Sequence, residues 1–259
     1  MDAEPFTRAD GPGRYLFNGI SRGPWDPNSL HARVLAGLIS HEIELAYTGD
    51  DFHCARLTID LYRLPKLTPA EITTRAVRQG GRIRVIEAEY ASGGISYARA
   101  TAVLLKRTEN PAGQAWQPPP WNVPGPDDVE AREGVVGFTF PMWETRYITP
   151  SRQEVVRQQA WVRETRELVA GVPLTPFVRA ASGADFTNPF ANWTTEGLQF
   201  INADITLYLH RYPQGEWIGF EVASHQSADG IAVGQCTMYD EQGAIGLSTV
   251  CAIANRRMP

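Results

Sequence analysis

The sequence predicts an α+β protein built from two tandem copies of one unit, in which a curved antiparallel sheet wraps around a central helix. Three observations lead to this prediction. A sequence pattern recurs after 148 residues, a proline-rich segment separates two parts of similar length, and each part contains one helical stretch followed by four strand-like segments. At 259 residues, the chain is long enough for two domains of ordinary size.

The repeat is clearest in two segments that alternate apolar and polar residues and end in Arg-x-Pro. Residues 55–65 read ARLTIDLYRLP, and residues 203–213 read ADITLYLHRYP. Two later segments, at 89–107 and 238–256, share Tyr, Gly and Arg positions at an offset of 149 residues. One inserted residue in the intervening turn would reconcile the two offsets. The shared order of the segments favours a duplication.

A proline-rich segment at residues 109–134 divides the two copies. It contains six prolines and few aliphatic residues, a composition typical of extended, semi-rigid connectors. Trp116 and Trp121 lie within it and predict that it packs against the rest of the protein. We therefore expect an N-terminal unit at residues 1–108, a linker at 109–134 and a C-terminal unit at 135–259.

The first copy begins with a predicted helix at residues 29–47. Asp26 and Ser29 supply side chains suited to its N-cap. The second copy has a shorter helical stretch near residues 175–184. In the first helix the apolar residues recur with helical periodicity and cover a wide face, which predicts a helix buried on most sides; they are Leu30, Val34, Leu35, Leu38, Ile39 and Ile43.

Strand-like segments follow each helix. In the first copy they lie near residues 53–62, 71–78, 83–91 and 95–105. Turn signals separate them, such as Leu64-Pro65, Gly80-Gly81 and Gly93-Gly94. Strands joined by short turns form an antiparallel meander, and such a sheet can curve around one very apolar helix.

The composition argues against several classes of function. A net charge of −5, with both signs spread along the chain, disfavours a nucleic-acid surface. The N-terminal residues lack the pattern of a signal peptide, and the uncharged stretches are too short to span a membrane. We therefore expect a cytoplasmic protein without nucleic-acid or membrane partners. Its three cysteines, Cys54, Cys236 and Cys251, lack metal-site spacing and are expected to be free thiols.

The order and spacing of these segments resemble the acyl-CoA thioesterase II family, whose fold is a tandem pair of hotdog units. The resemblance extends from about Gly19 to Arg256. It implies a double hotdog fold and hydrolysis of a fatty acyl-CoA to free acid and CoA, a role in fatty acid metabolism that needs no cofactor beyond the substrate. The stretches that carry it are GPWDPNSLH, LTIDLYRLP, GGRIRVIEAEY and SYARATAVLL in the first copy, and RAASGADF, INADITLYLHRYPQGEWIGFE and YDEQGAIGLSTV in the second.

The resemblance also implies catalytic positions. In that family an Asp, a Thr or Ser, and a Gln hold and activate a water molecule, and these positions fall on Asp185, Asn202 and Cys251 here. Asp185 is the expected general base. Asn202 can still donate and accept hydrogen bonds, whereas the Cys251 thiol is a weak donor and a weak acceptor. The pattern at Cys251 favours a small apolar residue on a strand over a nucleophile.

Four further residues are candidates for substrate binding. His31 lies near the start of the first helix, where related sequences read His-Gly-Gly and this chain has Ala32 and Arg33 after the histidine. Arg82 and Arg84 share one face of a strand and suit the phosphates of CoA, although an ordinary solvated hairpin is the favoured interpretation. Thr249 belongs to the Ser-Thr-Val stretch that precedes Cys251.

Alternative functions remain open at this point. Residues 182–190 resemble the motif of (R)-specific enoyl-CoA hydratases, but Phe190 stands directly after Pro189 and the general-base His of that motif is missing. The altered catalytic positions also suit a protein that binds acyl-CoA without turning it over. The whole chain could further form a homodimer.

Overall fold

In each half a helix and four following strands occur in the order that the sequence predicts, and further short strands lie before or after the helix. The computed structural model describes residues 4–49, 51–130, 142–149 and 154–255. The elements of the first half are β1 (Thr7–Ala9), β2 (Arg14–Phe17), α1 (Ala32–Ile43), β3 (Phe52–Leu61), β4 (Ala70–Gln79), β5 (Ile83–Ser92) and β6 (Ile95–Lys106). A π-helical turn, Glu44–Thr48, extends α1.

The described residues of the second half form two α-helices and nine strands. Its elements are β7 (Trp143–Tyr147), β8 (Gln159–Glu164), α2 (Pro176–Ala184), α3 (Thr187–Ala191), β9 (Trp193–Thr194), β10 (Gly197–Leu198), β11 (Phe200–Asn202), β12 (Asp204–Leu209), β13 (Trp217–Ala228), β14 (Ile231–Asp240) and β15 (Gly243–Ala254). No helix in the described residue ranges is long and apolar enough to cross a membrane.

Thirteen of the described strands form one antiparallel sheet. Its order is β1-β2-β4-β5-β6-β3-β12-β15-β14-β13-β8-β7, and β11 pairs with the end of β15. The two halves join where β3 pairs with β12, with Thr58 opposite Thr206. These two threonines occupy equivalent positions of the repeat, 148 residues apart, so a local twofold axis passes between them. The predicted α+β double hotdog is confirmed by this architecture.

The strand register shows a single repeat offset throughout the sheet. Ala88 pairs with Ala100 in the first half, and Cys236 pairs with Ser248 in the second, which keeps the offset at 148 residues. The predicted second offset of 149 is therefore wrong. The matches on which it rested are side-chain coincidences one residue out of register.

The first helix is buried because apolar side chains occupy most of its surface and pack against the rest of the protein. Leu35, Leu38 and Ile39 have no exposed surface. Its N-cap is His31, whose side chain accepts a hydrogen bond from the Arg33 N–H. The predicted capping by Asp26 and Ser29 is wrong, because these residues close a turn ahead of the helix, where Ser29 Oγ donates to the Asp26 carbonyl at 2.7 Å.

The N-terminal strand β1 and the proline-rich segment both contact the second half. The Thr7 N–H of β1 donates to the Leu168 carbonyl at 2.9 Å. In the proline-rich segment, Trp121 stacks on Tyr239 with ring centroids 4.1 Å apart, whereas Trp116 is 85% exposed. Of the two tryptophans, Trp121 packs the linker against the second half and Trp116 does not. Strand β1 and the linker therefore both contact the second half.

Helices α1 and α2 cross closely enough that one position of α1 accepts only glycine without rearrangement. A Cβ added at Gly37 would overlap Ser182 Oγ of α2 and lie 3.0 Å from a methyl carbon of Leu168. A Cβ added at Gly183 of α2 would meet only ordinary contacts, the nearest at 3.5 Å from Phe220. The two glycines therefore differ in packing but share a buried helical setting.

We expect Gly37→Ala to destabilise the protein and Gly183→Ala to leave it unchanged or slightly more stable. Both substitutions gain up to about 1 kcal/mol of helix propensity, but overpacking at Gly37 costs about 1–3 kcal/mol. Chemical denaturation of both variants isolates the packing difference. Equal unfolding midpoints for the two variants would contradict the close helix crossing.

Candidate active site

A cavity of about 380 Å³ lies where the start of α1 meets the end of α2. His31 and Ala32 line it from the first half. Asp185 and Asn202 line it from the second half. The site is therefore built from both copies of the repeat, and neither copy alone supplies all of its polar groups.

Asp185 is a buried carboxylate directly after α2. It is 6% exposed. The Asn202 side-chain amide donates to Asp185 Oδ1 at 3.3 Å, and His31 Nδ1 lies 3.2 Å from Asp185 Oδ2. The fold thus brings together the three cavity residues that the sequence singled out, Asp185, Asn202 and His31, although they come from three separate segments.

His31 Nδ1 has two neighbours that require opposite protonation states. The Arg33 N–H donates to Nδ1 at 3.3 Å, which requires a bare nitrogen. The Asp185 carboxylate accepts from Nδ1 only when that nitrogen carries a proton. The tautomer with hydrogen on Nδ1 therefore hydrogen-bonds Asp185, and the tautomer with hydrogen on Nε2 caps the helix.

Arg33 lies behind the cavity wall, at the start of α1 where related sequences have glycine. Its guanidinium forms an ion pair with Glu164 and lies 4.0 Å from the ring centroid of Trp143, which lines the cavity. Burial lowers the pKa of Arg33, and the negative charge of Asp185 raises it. Arg33 therefore supports Trp143 and adds positive charge near Asp185.

Cys251 lies on β15 outside the cavity lining. Its N–H donates to Asp204 Oδ1 at 2.5 Å, and its side chain is exposed. Burial raises the pKa of the Cys251 thiol to about 11, and the neighbouring Asp204 carboxylate acts in the same direction. Two residues further along the same strand face, Ile253 lines the cavity. The thiol is therefore neither at the cavity nor in its reactive form.

The other predicted binding residues also lie away from the cavity lining in the described part of the chain. Arg84 donates to the Tyr47 carbonyl at 2.5 Å and covers the Phe52 ring at 3.7 Å. Arg82 is exposed beside the β4–β5 turn. Thr249 accepts a hydrogen bond from Gln235 at 3.2 Å. A role for them in substrate binding stays a prediction that this geometry does not favour.

Sequence reasoning missed the aromatic character of the cavity. The aromatic residues are spread over the whole chain and share no common spacing, so only the fold reveals them as one group. One of them, Phe186, directly follows Asp185, and this adjacency is the one local sequence signal of an aromatic cavity. The aromatic lining residues are Trp25, Tyr62, Trp143, Tyr147, Phe186 and Trp193.

Solved structures similar to this chain share its double-unit fold. An acyl-CoA thioesterase II, TesB2, from Mycobacterium marinum is 17% identical with a TM-score of 0.67, and the match covers 98% of this chain and 96% of that one. A tesB protein from Mycobacterium avium subspecies paratuberculosis is 14% identical with a TM-score of 0.72, covering 96% and 95%. A protein of unknown function with a hotdog fold from Alicyclobacillus acidocaldarius is 14% identical with a TM-score of 0.77, covering 97% and 96%.

Family models match most of the sequence. The acyl-CoA thioesterase N-terminal domain matches residues 21–105, and the acyl-CoA thioesterase C-terminal domain matches residues 116–250. No curated protein matches the chain. The two domain models occur in the order in which the two halves follow each other. The chain therefore belongs to the acyl-CoA thioesterase family and is a thioester hydrolase.

Proposed function

We propose that this protein hydrolyses the thioester of an acyl-CoA with a water molecule that Asp185 activates. The observation that carries the proposal is the position of the carboxylate. Asp185 is buried in an aromatic-lined cavity, between an amide donor and an imidazole. An apolar cavity with a few convergent polar groups suits an acyl chain whose reactive carbonyl must meet a fixed base.

In the proposed reaction, Asp185 takes a proton from water as the water oxygen attacks the thioester carbonyl carbon. The carbonyl π bond opens, and its oxygen becomes an oxyanion. The N–H at the first position of a helix has no partner inside the helix, and in α1 this is the Ala32 N–H beside the cavity, which is suited to stabilise the charge. The next N–H, of Arg33, is engaged by His31 Nδ1. The C–S bond then breaks, and the proton held by Asp185 passes to the departing CoA sulfur.

Asn202 and His31 would hold the base in place. The Asn202 amide donates to one Asp185 oxygen, which leaves the other lone pairs of the carboxylate for water and His31. This is the role that a hydroxyl residue fills in the family resemblance. Asn202 can perform it because both side chains donate a hydrogen bond.

The hydratase alternative is disfavoured by the position where its general base would stand. The motif places its His two residues after the Pro, and this chain has Ala191 there, which is 7% exposed. A methyl side chain cannot abstract or deliver a proton. Acyl-CoA binding without turnover remains the competing function and is tested by the same assay.

We expect Asp185→Asn to lower kcat about 100-fold or more while acyl-CoA binding is retained, because the amide cannot accept a proton. The measurement is thiol release from a panel of acyl-CoAs, from short to long. The control is Asp60→Asn, the same change at an exposed carboxylate on β3. Wild-type protein that binds acyl-CoA but releases no thiol would favour the binding function, and an active Asp185→Asn would rule out this base.

We expect Asn202→Leu to lower kcat about 10-fold to 100-fold, because the variant removes a donor to Asp185 at nearly constant volume. Asn202→Thr should retain more activity, since a hydroxyl can restore a donor. The two variants are compared in the same assay after thermal unfolding shows that both are as stable as wild type. Equal losses in both variants would show that a hydroxyl donor does not restore activity, which would contradict the hydrogen-bond role of this position.

We expect Cys251→Ala to keep kcat within about twofold of wild type. A thiol with a pKa of about 11 is almost wholly protonated at neutral pH. Alkylation of native protein with iodoacetamide should likewise leave hydrolysis intact. Complete inactivation by both treatments would restore Cys251 as a catalytic candidate.

A further inference from the structure

The Arg-x-Pro motif occurs once in each half, but its two arginines have different surroundings. In the second half, Arg211 makes two hydrogen bonds to the Asp240 carboxylate, at 2.5 and 2.6 Å, and a third to the Gly243 carbonyl at 2.9 Å. The Asp240 side chain is fully buried. Arg211 is therefore fixed as part of the structure.

Arg63 is the equivalent residue of the first half, and it lacks the equivalent carboxylate. Ser92 takes the place of Asp240, since each closes the last hairpin of its half at the repeat offset of 148 residues. The Ser92 hydroxyl is engaged with Thr68 and the Pro69 carbonyl. No residue in the described ranges pairs with the Arg63 guanidinium, and the residue is exposed.

Arg63 also borders the cavity that contains Asp185. It lies in the segment after β3 that lines one side of the opening, together with Tyr62 and Pro65. Backbone hydrogen bonds hold this segment on both sides: Arg63 N–H donates to the Tyr97 carbonyl at 3.4 Å, and Leu30 N–H donates to the Pro65 carbonyl at 2.8 Å. A free guanidinium is thus carried on a fixed backbone at the mouth of the cavity.

We infer that Arg63 binds a phosphate group of CoA as the substrate enters the cavity, which rests on the proposed function. An acyl-CoA with its thioester at Asp185 must leave its phosphates outside, because the cavity is small and mostly apolar. A guanidinium matches phosphate geometry with two parallel hydrogen bonds. Arg84, by contrast, already donates to the Tyr47 carbonyl and covers Phe52.

The test compares Arg63→Gln with wild type on two thioesters of the same acyl group. One is the acyl-CoA, and the other is the acyl-N-acetylcysteamine, which lacks every phosphate. We expect KM for the acyl-CoA to rise about tenfold with kcat nearly unchanged, and both constants for the phosphate-free substrate to stay at wild-type values. Arg8→Gln, a change at an exposed arginine of β1 outside the cavity lining, is the control and should match wild type. Arg82→Gln is measured beside it as the competing phosphate site.

Two results would overturn the inference. Equal impairment on both substrates would mean that Arg63 contacts the acyl group or supports the fold. The same rise in KM for Arg82→Gln and none for Arg63→Gln would move the phosphate site to the β4–β5 turn.

The inference can be separated from the proposed hydrolysis by measuring CoA binding alone. Calorimetry with CoA should show about tenfold weaker binding for Arg63→Gln than for wild type, whether or not any thioester is cleaved. Unchanged CoA affinity would overturn the role of Arg63. Absence of thiol release from wild type would instead count against the proposed function.

Discussion

The antiparallel pairing of β3 with β12 is the constraint on which the rest of the structure depends. Thr58 and Thr206 face each other across the local twofold axis, and their hydroxyl oxygens lie 3.3 Å apart. This pairing merges the two sheets and brings α1 against α2, where Gly37 permits a close crossing. The start of one helix then meets the end of the other. His31 and Asp185, which belong to different copies, become neighbours only because of that arrangement.

The strands could be predicted from sequence because their alternation of apolar and polar residues is local. β5 and β6 begin at the predicted residues, Ile83 and Ile95. The pairs β1–β2 and β7–β8 were not predicted, because they are short and because β1 depends on contacts with residues about 160 positions away, such as that of Thr7 with Leu168. The N-cap was mispredicted for a related reason. Serine is a commoner N-cap than histidine, but the Ser29 hydroxyl donates to the Asp26 carbonyl within the preceding turn and is not free to cap the helix.

The site could be predicted only in part, because a linear pattern gives residue types but not directions. Asp185, Asn202 and His31 converge at the cavity, and their roles in catalysis and binding stay predictions. Cys251 is displaced because β15 carries Ile253 to the cavity. A shift of one or two residues along a strand changes which side chain reaches the cavity. Sequence spacing alone does not determine that position. The support that Arg33 gives Trp143 is a tertiary contact with no local signature.

The duplication creates a second helix junction, where the end of α1 meets the start of α2. This junction differs from the first one, where the start of α1 meets the end of α2 at the cavity. At the second junction Glu44, at the end of α1, accepts a hydrogen bond from Thr175, the N-cap of α2, at 2.5 Å, and burial raises the pKa of Glu44. At the repeat offset, the cavity residues Leu64 and Ile201 correspond to Tyr212 and His53. These two rings pack against each other with centroids 4.2 Å apart, and Tyr212 Oη accepts from the Cys54 N–H. Aromatic side chains thus fill the volume that aliphatic ones leave open at the first junction. The two copies share one strand register, but the side chains at the two junctions differ in size. As a result, the first junction keeps a cavity that contains a carboxylate, and the second is filled and stabilises the fold.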